Sequence, residues 1–299
     1  MAGSYTTVDL SQLKAPSVVE VLDYEAIVSA MLADLVARDP SFTALLESDP
    51  ALKIIEVCAY RELMLRQRIN DSAYAVMLSS AYGADLDQIG ANYGVGRQIV
   101  TPGDPDAVPP TEDVYETDEA FRARIQLSLE GYSVAGPRGA YVFHALSTDG
   151  RVKDANAVSP TPGAVHVYVL SALGNGTPDI ELVNIVNEHL NSETIRPLTD
   201  QVTVLPAEVV EYPVEATLTL YPGPDASVVL LAARQAVETY AASVGKIGQD
   251  VARSGLLRAL HQPGVQSVNL ISPAADISIA EGQASRLAGV TLTVAGVND

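Results

Sequence analysis

The sequence predicts an α+β protein in which a helical region with one long helix precedes two small units of antiparallel strands and helices. Three observations carry this. From Ala51 to Tyr82 there is neither Gly nor Pro, and the stretch follows an Asp-Pro start signal. Alternation of apolar and polar residues marks Val210 to Leu220 as a half-buried strand. Short strands bounded by Pro and Gly then alternate with helical periods after residue 118. The predicted parts are 1–97, a helical bundle-forming region; 98–117, a Pro- and acid-rich linker or arm; and 118–206 and 207–299, two α+β domains.

In the first part, Asp23 is placed to cap a helix with Tyr24, Ile27, Val28, Met31, Leu32 and Leu35 on one face, ended by Asp39-Pro40. Asp49-Pro50 starts the long helix, which as a continuous run to Gly83 would hold 32 residues and span ~48 Å. Leu52, Ile54, Ile55, Val57, Ala59, Tyr60, Leu63, Met64 and Leu65 point in nearly all directions, so more than one face asks for burial. A polar belt overlaps them: Arg61, Glu62, Arg66, Gln67, Arg68, Asn70 and Asp71, with Glu62 and Arg66 spaced to pair. Two readings stand side by side. The belt is either a solvated patch on a helix of one domain or the register-fixing seam of a multichain bundle. Asp85 and Gln88 form a capping-box pattern for a further helix, stopped by Gly94 and Gly96.

Residues 98–117, with the acids just beyond, hold four prolines and no Lys or Arg, a composition that favours extended, solvated chain. Beyond them, Pro137 opens a helix through Tyr141, Phe143 and Leu146. Strands are expected at Val152–Val158 and Val165–Leu170, joined through Pro160, Pro162 and Gly163. Thr177-Pro178 is placed to start a helix with Ile180, Val183, Val186 and Leu190 inward, before a short strand at Val202–Leu205. Pro213 within the alternating strand indicates an edge or a bulge. Asp225 leads into a helix with Val229, Ala233, Val237 and Tyr240 inward. Leu256–Leu260 is helical, and Val265–Ile271 and Leu287–Val294 are strands. Superposing Ser159-Pro160 on Ser272-Pro273 also pairs Asn156 with Asn269 and Val152 with Val265. Internal duplication is one reading of these matches and chance the other.

Composition narrows function. Against 18 Lys and Arg stand 37 Asp and Glu, giving a net charge of −19, which disfavours nucleic acid and anionic membranes as partners. Cys58 is the sole cysteine, excluding an intramolecular disulfide and Cys-based zinc sites. Met1–Leu10 lacks a signal-peptide pattern, and the uncharged stretch Ala155–Pro178 is broken by Pro and Gly, so a cytoplasmic product without membrane insertion is expected. His144, His166, His189 and His261 lie in no metal-binding spacing. Gly131-Tyr132-Ser133-Val134-Ala135 misses the final Gly of a nucleophile elbow. Gly174-Asn175-Gly176 lacks the Lys and spacing of a phosphate loop. No catalytic, cofactor or metal site is expected.

Several segments together resemble the baseplate J-like proteins of contractile phage tails. They are Ala59-Tyr60-Arg61-Glu62-Leu63-Met64-Leu65-Arg66-Gln67-Arg68-Ile69-Asn70, Gly83-Ala84-Asp85-Leu86-Asp87, Ser133-Val134-Ala135-Gly136-Pro137, Arg196-Pro197-Leu198-Thr199-Asp200 and Thr217-Leu218-Thr219-Leu220-Tyr221-Pro222-Gly223-Pro224-Asp225. The resemblance implies a structural baseplate-wedge subunit of a phage tail or a phage-tail-like bacteriocin. Its implied partners are a second copy of itself, tail protein I, a gp25-like sheath initiator and, indirectly, the central spike and hub. By position in the matched motif, Tyr60, Arg61, Glu62, Arg66, Arg68 and Asn70 are the expected bundle contacts. The rival reading, from another class, is a tail-associated enzyme or glycan-binding module.

Overall fold

The computed structural model describes residues 8–42, 46–133, 135–223 and 225–297. The chain divides into two compact units, Val8–Asn92 and a larger one containing Tyr93 onward. The fold is α+β.

In the first unit, α1 (Tyr24–Arg38) starts where the Asp23 carboxylate accepts from Ala26 N at 3.2 Å. The long helix α2 (Pro50–Ala75) starts as its sequence dictates, with Asp49 accepting from Ala51 N at 2.8 Å and Pro50 supplying no orphan N–H. It is 26 residues long, ~39 Å, rather than the expected 32. It stops without Gly or Pro because a local turn takes over its last carbonyls. The Ser80 hydroxyl donates to Tyr74 O at 2.8 Å, as does Met77 N at 3.3 Å, and just past the helix Ala81 N donates to Met77 O. The next helix, α3 (Gly83–Asn92), begins at Gly83 with φ +53°, so Asp85 lies inside its first turn and does not cap it. The core between α1 and α2 is small: Ile27, Val28 and Ala59, with Tyr24, Met31, Leu32, Ile55 and Leu63 partly buried beside them.

The acidic segment that opens the larger unit is not a free spacer. Its ends pair as β1 (Ile99–Thr101) and β2 (Val114–Tyr115), and Gly103 N and Asp104 N donate across the loop to Asp113 Oδ1 and Thr111 Oγ1. Its base is pinned to α4 (Asp118–Gly131) by a buried ion pair, Arg124 to Glu116, in which Arg124 also donates to Gly96 O at 2.7 Å. Arg97 bonds Asp118 at 2.7 Å and stacks over Phe121.

The remainder holds two three-stranded sheets. In the first, β3 (Val152–Thr161) and β4 (Ala164–Ser171) form a hairpin turned at Pro162-Gly163, where Gly163 has φ +83°. α5 (Arg138–Thr148) and α6 (Ile180–Leu190) cover it, with Tyr141, Val142, Leu182 and Val186 in the core. α6 is capped by Asp179, one residue beyond the expected Thr177-Pro178, and the frame shift leaves Ile180 exposed and buries Leu182. β5 (Gln201–Pro206) then pairs parallel to β4.

The second sheet centres on β6 (Glu208–Leu220), flanked by antiparallel β7 (Val265–Ser272) and parallel β8 (Gln283–Val297). The alternation reads through: Tyr212, Val214, Ala216, Leu218 and Leu220 are buried against α7 (Ala226–Val244) and α8 (Arg253–Leu260). Pro213 sits at a register shift against Gly289 and N-terminal to the residues that β7 pairs, so no ladder bond asks for its missing N–H there. Both sheets therefore add a parallel neighbour to the expected antiparallel strands. They share neighbour directions but not chain order: the central strand follows the antiparallel one in the first sheet and precedes it in the second. A simple tandem copy would have kept that order.

Candidate functional site

The candidate site is the face of α2 turned away from its own core. At ~100° per residue, Ala59, Leu63 and Asn70 point toward α1, whereas Ile54, Val57, Cys58, Met64, Leu65 and Ile69 fall on an opposite stripe about 140° wide. That stripe is open. Ile54 is 65% exposed, Leu65 67% and Ile69 57%. The burial pattern accounts for the excess of apolar positions in the sequence: α1 satisfies one face, and no described residue of the helical unit buries the other. Six exposed apolar side chains in one row are far from the scattered single exposures normal on a surface.

The expected contact residues divide between the two faces. Asn70 is buried and stays within the chain: its Nδ2 donates to Glu20 O at 2.9 Å and its Oδ1 accepts from Glu20 N at 3.1 Å. Arg66 lies beside it, bonded to Glu62 at 2.7 Å and to the Glu20 carboxylate at 3.0 Å. Both carboxylates hold its guanidinium above its ordinary pKa, through hydrogen bonds first and charge second. These three residues fasten the segment before α1 onto α2. Tyr60, Arg61 and Arg68 are exposed. Tyr60 borders the stripe, and Arg61 and Arg68 stand within it. Neither guanidinium makes an ion pair or hydrogen bond among the described residues. Sequence reasoning assigns contacts only within the polar belt and Tyr60, and so misses Ile54, Val57, Met64, Leu65 and Ile69 as contacts. Ile54, Val57 and Cys58 follow the spacing i, i+3, i+4, which the crowd of apolar neighbours on other faces obscures.

Elsewhere the titratable groups serve packing. His144 and His189, on α5 and α6, lie with ring centroids 6.0 Å apart. Burial pushes both below the ordinary imidazole pKa, and the Gly131 carbonyl, 3.2 Å from His144 Nε2, pulls His144 partly back. Asp154, buried under the loop after α7, accepts from Ile247 N at 2.7 Å, and burial raises its pKa. No group of three His, Cys, Asp or Glu that could hold a metal occurs among the described residues. No described helix is long and apolar enough to cross a membrane.

A small helical unit with an uncovered apolar face, joined to two sheet-and-helix layers, is the build of a subunit made for a larger assembly. Comparison with known proteins identifies the assembly's family. Residues 47–104 match the baseplate J-like N-terminal domain, 133–206 the baseplate J-like central domain and 212–293 the baseplate J-like C-terminal domain. Baseplate protein J of Escherichia phage P2 is 46% identical over 285 residues, covering 93% of this chain and 94% of its own. The cryo-EM structure of the anti-feeding prophage baseplate aligns over 60% of this chain and 46% of that one, at 15% identity and a TM-score of 0.41. The chain belongs to the baseplate J-like family.

Proposed function

We propose that this protein is a structural subunit of a contractile-tail baseplate, in a phage or a phage-tail-like bacteriocin, and that it works by regulated assembly. In this reading two copies join tail protein I in a wedge. Wedges close a ring around the spike and hub, a gp25-like initiator docks on the ring, and rearrangement of the ring releases the sheath. Family membership supports the baseplate role, and one observation in the chain supports assembly through the N-terminal unit: the apolar stripe of α2 lies open opposite its own core. Covering ~25 cal/mol per Å² of such surface would favour a bundle with partner helices. Tyr60, Arg61 and Arg68 would touch the partner directly, while Glu62, Arg66 and Asn70 would hold the preceding segment in place.

Pull-down of tail protein I with the full chain tests this. Arg61→Ala combined with Arg68→Ala is expected to reduce recovery at least tenfold while circular dichroism of the chain is unchanged. Ile54→Ser combined with Leu65→Ser should do the same. Undiminished recovery by both variants would remove α2 from the interface.

A further inference from the structure

We propose that a crevice between the two sheets binds one small tetrahedral oxyanion, of the phosphate or sulfate kind. The crevice measures about 120 Å³ and is lined from β3, from the end of β4 with the loop after it, and from β8. Pockets for drug-sized ligands run to ~300–1,000 Å³, so this one suits a compact ion rather than a nucleotide or a sugar chain. Its charge runs against that of the chain. Asp and Glu outnumber Lys and Arg 37 to 18, yet no carboxylate lines the crevice, and two cations, Lys153 and Arg286, do. Exposed charges more than ~10 Å away are largely screened at 0.1 M salt, so the lining decides what enters. Two nearby carboxylates are already engaged: Glu211 holds one Nη of Arg286, and buried Asp154 accepts from Ile247 N.

The lining is rich in donors that the chain leaves unspent. Lys153 Nζ makes no ion pair or hydrogen bond among the described residues. Ser171 is 6% exposed; its Oγ accepts from Leu173 N at 3.1 Å, and its hydroxyl hydrogen has no acceptor among the described residues. The backbone N–H groups of Gly174 and Asn175 also donate to no described residue. The sequence shows Gly174-Asn175-Gly176 without the lysine of a phosphate loop, and the fold supplies one from another strand. Antiparallel pairing sets Val152 opposite Ser171, which brings Lys153 beside the end of β4. Donors reach the crevice from three segments, an arrangement that four oxygens around one centre satisfy better than a planar carboxylate does. Two cations also match an ion carrying close to two negative charges. Lys153 and Ser171 belong to the first sheet and Arg286 to the second, so the bound ion clips the sheets together.

Equilibrium dialysis of the full chain against radioactive inorganic phosphate, with ionic strength held constant by sodium chloride, is the decisive experiment. Wild type is expected to take up one phosphate per chain. K153M should bind at least tenfold more weakly, whereas K53M, which removes the same charge from the helical unit, should bind as wild type does. E211Q releases the Arg286 guanidinium and is expected to bind several-fold tighter, a change opposite in sign to structural damage. Circular dichroism confirms that each variant is folded. Sulfate should displace the phosphate and acetate at the same concentration should not. Each of three results would overturn the assignment: no saturable uptake by wild type, equal weakening by K153M and K53M, or displacement by acetate as effective as by sulfate.

Discussion

Both ends of the Asn70 amide are committed to one backbone unit, the N–H and C=O of Glu20, much as a strand neighbour would be. An unmade buried hydrogen bond costs ~1–3 kcal/mol. Asn70→Ala is expected to lower stability by about that amount and to open the segment before α1 to protease, while Asn70→Asp, which keeps the acceptor but loses the donor, should fall at least as far. Limited proteolysis with urea unfolding checks both. The polar belt was legible in the sequence, but its division was not, because the partner of Asn70 lies 50 residues upstream and no local spacing points to it. His144 and His189 give a residue-scale prediction with a sign. Their folded pKa values lie below the unfolded value of 6.5, so the folded state binds fewer protons than the unfolded one between the two. Their contribution is whole above about pH 6.5 and is lost as pH falls through the folded values. The urea midpoint should drop between pH 7.5 and 5, and His189→Gln should make the drop smaller. An unchanged slope would show that the pair does not report folding.

At the scale of elements, local chemistry and remote pairing divide what the sequence reveals. Asp23, Asp49-Pro50 and Asp225 announce their helices, since a cap needs only its neighbours within three residues. The end of α2 hides because a serine hydroxyl six residues on does the work of a glycine. The parallel neighbours β5 and β8 hide for another reason: no turn residue encodes a crossover between strands. The acidic arm is the sharpest case. Its proline and charge favour extended chain, yet Arg124, from α4, reaches back to Glu116 in a site where both side chains are below 10% exposed. Removing one member of such a pair strands the other's charge. Arg124→Ala is therefore expected to cost ~3–5 kcal/mol, and the double variant Arg124→Met, Glu116→Gln distinctly less. Gly150→Ala should loosen the same arm from the other side, because a Cβ there would collide with the Ile99 carbonyl. Guanidinium midpoints of the three variants order these effects, and equal losses for the single and double changes would contradict the stranded-charge account.

For the molecule as a whole, burial is distributed unevenly. Among the described residues, the Val8–Asn92 unit buries five apolar side chains, Ile27, Val28, Ala59, Ala81 and Leu86, whereas each sheet of the larger unit has a core of fifteen buried apolar residues. Stability follows buried apolar area more than length, so the helical unit should be the first to open. Local free energies within one chain span a wide range, and regions poor in buried contacts occupy the low end. A partner that binds only the folded helical unit would raise its stability in proportion to the logarithm of partner concentration over Kd, and leave the sheets untouched. Scanning calorimetry of the full chain is thus expected to resolve a lower transition for the helices and a higher one for the sheets. Saturating tail protein I should lift the lower transition alone, by about 2.7 kcal/mol at a hundredfold excess over Kd. A variant such as Leu65→Ser should abolish the lift without moving either transition of the free chain by more than a degree or two, since Leu65 is exposed and no core depends on it. One transition that tail protein I does not move would mean that the open face of α2 is a surface the free chain already tolerates, and that assembly is driven from elsewhere on the molecule.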